Sequence, residues 1–163
     1  MKGRIEVKRV ELSDAESVLA LYRSIIEENL PYIMNTPVPS TEQQIEFISG
    51  FITRRDPFFV AKLNGEVIGM ASGKKADMGR MEFSFSIHRA HRRKGLGAKL
   101  HQRIEQEAKE LGCFELFAMV DLGNPSRPFY AKRGYVADME IHSFISFTGI
   151  SLKAVTYRKA LSP

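Results

Sequence analysis

An apolar stretch, Arg80–His88, runs straight into a basic turn, Arg89 to Lys94, and then into Gly95-Leu96-Gly97-Ala98. No other part of the chain limits the fold so closely. The apolar stretch reads as a strand. Beyond the turn, Leu100, Ile104, Ala108 and Leu111 recur on one helical face until Gly112 stops the helix. A strand, a tight turn and an amphipathic helix in this order bury the strand under the helix. They also leave the first N–H groups of the helix free, at the positive end of its dipole. Such a helix start favours anions. Gly95 and Gly97 have no Cβ, so a phosphate can approach the backbone closely, and Arg92, Arg93 and Lys94 add positive charge at the mouth. The stretch reads as a pyrophosphate cradle.

The pattern matches neither common nucleotide loop. There is no Gly-x-x-x-x-Gly-Lys-Ser/Thr, and the third glycine of Gly-x-Gly-x-x-Gly is missing. What remains is Arg92-x-x-Gly95-x-Gly97. Downstream, residues 114–120 form a short apolar run suited to a buried strand. Asn124, Ser126 and Phe129-Tyr130-Ala131-Lys132-Arg133-Gly134-Tyr135 follow. The first motif resembles the Arg/Gln-x-x-Gly-x-Gly/Ala loop of the GCN5-related N-acetyltransferases (GNAT). The second resembles the short Tyr-bearing helix that follows it in that family, and the resemblance lies near the phosphinothricin-type acetyltransferases. In most relatives the Asn stands seven residues before the Tyr. Here it stands six before, with Pro125 and Pro128 between, so the helix is expected to start late, at Ser126.

The rest of the chain fits a mixed α/β order. Ile5–Val10 alternates as a first strand. Ser13-Asp14-Ala15-Glu16 reads as a capping box for a helix with Val18, Leu19, Tyr22, Ile25 and Ile26 inward. Pro31 to Ser40 holds three prolines and reads as a loop. Ser40 and Gln43 can cap a second helix carrying Ile45, Ile48 and Ile52. Phe58–Leu63 and Val67–Lys74 flank Asn64-Gly65, a hairpin signal. Tyr135–Phe147 and Leu152–Lys159 read as two strands around Thr148-Gly149. This order predicts an α/β architecture with one central, mostly antiparallel sheet. The resemblance implies the GNAT version of it, with helices on both faces. It also implies two parallel strands beside the cradle helix that splay apart to admit a pantetheine arm.

At 163 residues the expectation is one domain, 1–163, an acetyltransferase domain by the resemblance. The lone Cys113 forms no internal disulfide and reads as a buried thiol, which fits a reducing, cytoplasmic setting. The first residues lack the apolar region of a signal peptide, and no apolar run approaches a membrane span. The net charge of +5 admits a nucleic-acid reading. However, His88 to Lys94 holds four of the 24 Lys and Arg residues, and no basic stripe interleaves with aromatics. An anionic co-substrate absorbs the charge better. The four histidines lack metal-ligand spacing, so no metal is expected. His101 reads as lying on the polar side of the cradle helix, and His142 as near the acceptor side.

The resemblance implies an acetyl-CoA-dependent N-acetyltransferase that passes an acetyl group to a primary amine by direct attack in a ternary complex. Acetyl-CoA is the implied co-substrate. The cradle supplies backbone N–H groups from Arg93 through Lys94, Gly95, Leu96 and Gly97 to Ala98. Ser86 and Ile87, at the end of the preceding strand, would pair with the pantetheine amides, and Asn124 is read as cofactor-binding. Tyr130 is the implied general acid for the leaving thiolate, since a phenol can give a proton and otherwise stay neutral. Glu82 is the base candidate. In a period-two strand Glu82, Ser84 and Ser86 share one face while Phe83, Phe85 and Ile87 take the other. Some relatives use a Glu at this spacing to deprotonate the amine. The acceptor is open between a small molecule and a protein N-terminus or lysine, and a homodimer is also open. Two alternatives stand beside this reading: a catalytically silent CoA-binding regulatory module, and a basic nucleic-acid-binding domain.

Overall fold

The computed structural model describes residues 3–33 and 36–162. Met1 and Lys2 of the segment read for a signal peptide, Met34 and Asn35 of the Pro31–Ser40 loop, and Pro163 lie outside the described residues. The chain runs β1 (Ile5–Arg9), α1 (Ala15–Glu27), α2 (Thr41–Arg54), β2 (Phe58–Leu63), β3 (Glu66–Lys75), β4 (Arg80–Ile87) and α3 (Leu96–Glu110). It continues through β5 (Glu115–Asp121), α4 (Arg127–Lys132), β6 (Val136–Ala137), β7 (His142–Ile145) and β8 (Ser151–Ala160). The eight strands make one sheet in the order β1-β2-β3-β4-β5-β8-β6, with β7 also paired to β8. Every pairing is antiparallel except β4 with β5. This is the mixed, mostly antiparallel sheet with helices on both faces that the sequence led us to expect.

Alternation along the strands builds two cores. Phe59, Ala61, Ile68, Ala71, Met81, Phe83 and Ile87 face α3, together with Leu116, Ala118 and Val120 of β5 and the rings of α4. Phe58, Val60 and Val67 face α1 and α2 on the other side. Asn64 and Gly65 both adopt positive φ, 51° and 82°, as the β2–β3 hairpin requires. Gly69 lets α3 approach β3, because a Cβ there would lie 2.9 Å from Ile87 Cδ1 and 3.3 Å from Leu96 Cδ2. Cys113 is buried at the end of α3, and burial pushes its thiol above the usual range.

Several local expectations are corrected. Ser13 does not cap α1. The reciprocal pair is Glu11 with Asp14 around a short 3₁₀ turn, and the Asp14 carboxylate also accepts from Lys62 Nζ at 2.6 Å. The α2 cap is Ser40 with Gln43 as read, but its inward residues are Gln44, Ile48 and Phe51, and Ile45 and Ile52 are exposed. On α3, Leu111 is exposed and His101 is buried, the reverse of the reading. The single strand expected over Tyr135–Phe147 is two short ones, β6 and β7, which pair with successive parts of β8.

Candidate active site

The sheet opens at its centre. The β4–β5 ladder has three rungs, Arg80 with Glu115, Met81 with Leu116 and Glu82 with Phe117. Past the last rung β4 runs on to Ile87 and β5 to Asp121 without pairing to each other. Hydrogen-bond alternation tells which backbone groups face the gap. His88 N donates to Ile68 O at 2.8 Å, so the even-numbered residues of β4 bond to β3. Phe85 therefore turns its N–H and C=O groups toward β5 and Ile87 its N–H, the Ile87 carbonyl being taken by Arg92 Nε at 2.9 Å. Leu122 N donates to Lys153 O at 2.8 Å, so Met119 turns its N–H and C=O groups toward β4 and Asp121 its N–H, while Asp121 O accepts from Asn124 N at 3.0 Å in the turn that follows. The Ser86 backbone is directed at β3, and Phe85 lines the gap in its place beside Ile87.

The gap leads to the start of α3. Arg93 and Gly95 take left-handed conformations, with φ of 62° and 80°, which fold the turn back on itself. Gly95 is the N-cap of α3, and no side chain caps it. By contrast Ser40 Oγ accepts from Gln43 N at 3.1 Å in α2. A 15-residue helix thus presents an uncapped positive end. A Cβ on Gly95 would meet nothing within 4 Å, so the mouth is open there. Arg93 and Lys94 stand exposed beside it, and Lys94 Nζ donates to Ala90 O at 3.1 Å.

Two cradle residues have other partners. Arg92 donates from Nη1 to Glu28 Oε1 at 2.7 Å and from Nε to Ile87 O at 2.9 Å. The missing Cβ of Gly97 points at the rings of Phe85 and Phe129, 3.3 Å from each, so this glycine admits the ring stack rather than widening the mouth.

Tyr130 is buried under the gap. Its ring lies 6.3 Å from Phe83 and 6.2 Å from Phe85 of β4, and stacks at 5.3 Å on Tyr157 of β8. β5 runs between those two strands, so the ring spans the gap from beneath. Burial drives its phenol far above the usual range, with Tyr157 adding to the effect. Asn124 lies at the end of β5 and builds the entry to α4, where its Oδ1 accepts from Ser126 N at 2.9 Å and Ser126 Oγ at 2.7 Å. That turn accommodates the shortened spacing and starts α4 at Arg127, after Ser126.

Glu82 sits on the last rung, exposed, on the α1–α2 side of the sheet. Tyr130 belongs to the core on the α3 side. The two flank the closed end of the gap from opposite faces. His142 is half-buried on β7, opposite Ala154. Among the described residues no cluster of His, Cys, Asp or Glu could hold a metal ion, and no helix is long and apolar enough to cross a membrane.

The sequence reading missed His101. It is 2 % exposed, and its Nε2 lies 2.8 Å from Tyr135 Oη. Burial first, then Lys159 and Arg133, lower it to about 4, although Glu105 pulls the other way. At neutral pH it is therefore an uncharged imidazole. The available signal was its place directly after Leu100, on the flank of the apolar stripe.

Solved structures share this fold along nearly the whole chain. An N-acetyltransferase from Staphylococcus aureus Mu50 is 21% identical, with a TM-score of 0.86, 98% of this chain and 99% of that one being covered. A ribosomal-protein-alanine N-acetyltransferase from Brucella melitensis is 22% identical, with a TM-score of 0.84 over 96% and 99% of the two chains. A phosphinothricin acetyltransferase from Sinorhizobium meliloti, solved in complex with AcCoA, is 20% identical, with a TM-score of 0.83 over 97% and 89%. Residues 19–135 match the model of the acetyltransferase (GNAT) family. The split parallel ladder, the uncapped glycine turn and this match together establish that the chain belongs to the GNAT family of N-acetyltransferases.

Proposed function

We propose that the protein, acting as a single domain in a reducing cytoplasmic setting, transfers the acetyl group of acetyl-CoA to a primary amine within a ternary complex. One observation carries this reading. The gap between β4 and β5 is lined by the N–H and C=O groups of Phe85 and Met119 and the N–H groups of Ile87 and Asp121, and it ends at the uncapped start of α3. Backbone groups left unpaired inside a sheet need partners. An extended molecule with amides along its length and phosphates at one end supplies them in that order, and acetyl-CoA is such a molecule.

The residues then divide by face. The N–H groups at the start of α3, with Arg93 and Lys94, hold the pyrophosphate. Arg92 shapes the turn through Glu28, and Asn124 shapes the entry to α4. Phe85 and Ile87 take the amides of the pantetheine arm. On the α1–α2 side, Glu82 accepts a proton from the amine, directly or through one water. The freed nitrogen pair then forms the N–C bond to the thioester carbon, and the C–S bond breaks. On the α3 side, Tyr130 donates its proton to the departing sulfur, and the second proton left on the acylated nitrogen passes through water to the tyrosinate, leaving CoA as a thiol and the product as an amide. The burial that raises the phenol also raises a thiolate formed beside it, so donor and acceptor shift together and the transfer stays feasible.

The test is a screen of amines for thiol release from acetyl-CoA, paired with calorimetry. Binding of CoA in the micromolar range together with release on some amines supports the reading. Tyr130→Phe should then lower kcat toward the lower end of the roughly 10²–10⁴-fold that a general acid contributes, with CoA affinity kept. Binding without release across the panel would leave a CoA-binding module and overturn the transferase.

A further inference from the structure

Tyr130 lies between two other tyrosines, and each of those is held at its far end. Tyr135 stands perpendicular to Tyr130 at 5.3 Å, and its hydroxyl meets His101 Nε2 at 2.8 Å. Tyr157 stacks on Tyr130 at 5.3 Å, and its hydroxyl accepts from Arg127 Nε at 2.9 Å. His101 is fixed in turn, edge-on to Phe83 at 4.9 Å and to Phe129 at 5.9 Å. Arg127 is fixed by a second bond, from Nη1 to Leu122 O at 3.1 Å. Packing alone does not call for these groups. Phenylalanine at 135 and 157, and an aliphatic residue at 101, would bury the same rings without placing an imidazole and a hydroxyl where water cannot reach them. What the polar pairs add is direction, since stacking leaves a ring free to slide or rotate in its plane and a hydrogen bond at its tip does not.

We propose that His101 and Arg127 are positioning residues, which hold the Tyr135 and Tyr157 rings so that the Tyr130 hydroxyl stays aimed into the gap between β4 and β5. This rests on Tyr130 as the proton donor. Neither positioning residue touches substrate. Both act through a ring on either side of Tyr130, one from α3 and one from the first turn of α4.

The experiment uses the full chain, acetyl-CoA, and the amine that gives the fastest thiol release in the screen. His101→Phe keeps a ring and removes the bond. His101→Gln keeps an N–H that can reach Tyr135. His101→Phe should lower kcat about tenfold, as misplacement of a catalytic group does, with the KM for acetyl-CoA moving less than about twofold. His101→Gln should recover most of the loss. In a Tyr130→Phe background the His101→Phe loss should vanish, because no hydroxyl is left to aim. Arg127→Met should repeat the pattern from the other side, and it carries the test if His101→Phe does not fold. A readout without turnover is NMR of ring-labelled tyrosine, in which Tyr130 should flip faster in His101→Phe or Arg127→Met than in the wild type. Wild-type kcat in both pin variants, an equal proportional loss in the Tyr130→Phe background, or unchanged flipping overturns the inference. Wild-type kcat in Tyr130→Phe alone overturns the donor reading beneath it, so the two failures are told apart.

Discussion

Arg92 clasps Glu28 with both terminal nitrogens of its guanidinium, while its Nε holds the carbonyl of Ile87. One side chain thereby ties the end of β4 and the cradle turn to the C-cap of α1. Only a planar fork can make all three bonds, so lysine is a poor substitute. Arg92→Lys and Glu28→Ala should each weaken CoA binding about tenfold, by loosening the turn. Calorimetry decides the matter through its sign. If Arg92 reached the phosphates itself, Glu28→Ala would free it and tighten binding.

The two cradle glycines should fail differently. Gly95→Ala forces an L-residue to φ near 80° in open space, which costs about 1–2 kcal/mol of local strain and leaves the rings untouched. CoA affinity should fall with only a small change in Tm. Gly97→Val drives a branched side chain into Phe85 and Phe129, so Tm and affinity should fall together. Thermal melts beside calorimetry on both variants check the contrast.

Glu82→Gln should leave CoA affinity nearly intact, because the side chain lies on the face away from the α3 core. Activity should suffer most at low pH, where the amine is protonated and hydroxide is scarce. A pH–rate profile matching the wild type in height and shape would show that solvent alone takes the proton.

Acid should unfold this protein partly through His101. Its pKa falls from 6.5 to about 4, chiefly by burial, with Lys159 and Arg133 opposing charge and Glu105 favouring it. The unfolded chain therefore binds a proton between pH 6.5 and 4 that the folded chain refuses. Stability from this group is complete above the unfolded value and declines as pH drops toward 4, by an amount of the order of 3 kcal/mol. Urea unfolding at several pH values should show this slope in the wild type and a shallower one in His101→Gln.

The parts of the fold readable from sequence are those fixed by neighbours in the chain. The Ser40–Gln43 box and the Asn64-Gly65 hairpin are local chemistry, and both stand where they were read. The cradle turn is likewise local. The errors come where two registers fit equally well and only a distant surface decides. Ile45, Ile48 and Ile52 share a helical face, but the sheet takes Gln44, Ile48 and Phe51 instead. His101 carries a polar label, and its partner hydroxyl on Tyr135 arrives from 34 residues away. Arg92 looked like a phosphate ligand because the glutamate that engages it stands 64 residues earlier. The gap itself has no signature in either strand, since it exists only where β4 and β5 stop pairing.

The chain's one sulfhydryl has a practical consequence. Cys113 is 8 % exposed, and burial keeps it in the unreactive thiol form. A disulfide dye that counts free thiols should therefore register the coenzyme released at each turnover against a nearly silent protein background. The native chain, with no cysteine removed, can be followed continuously by colour.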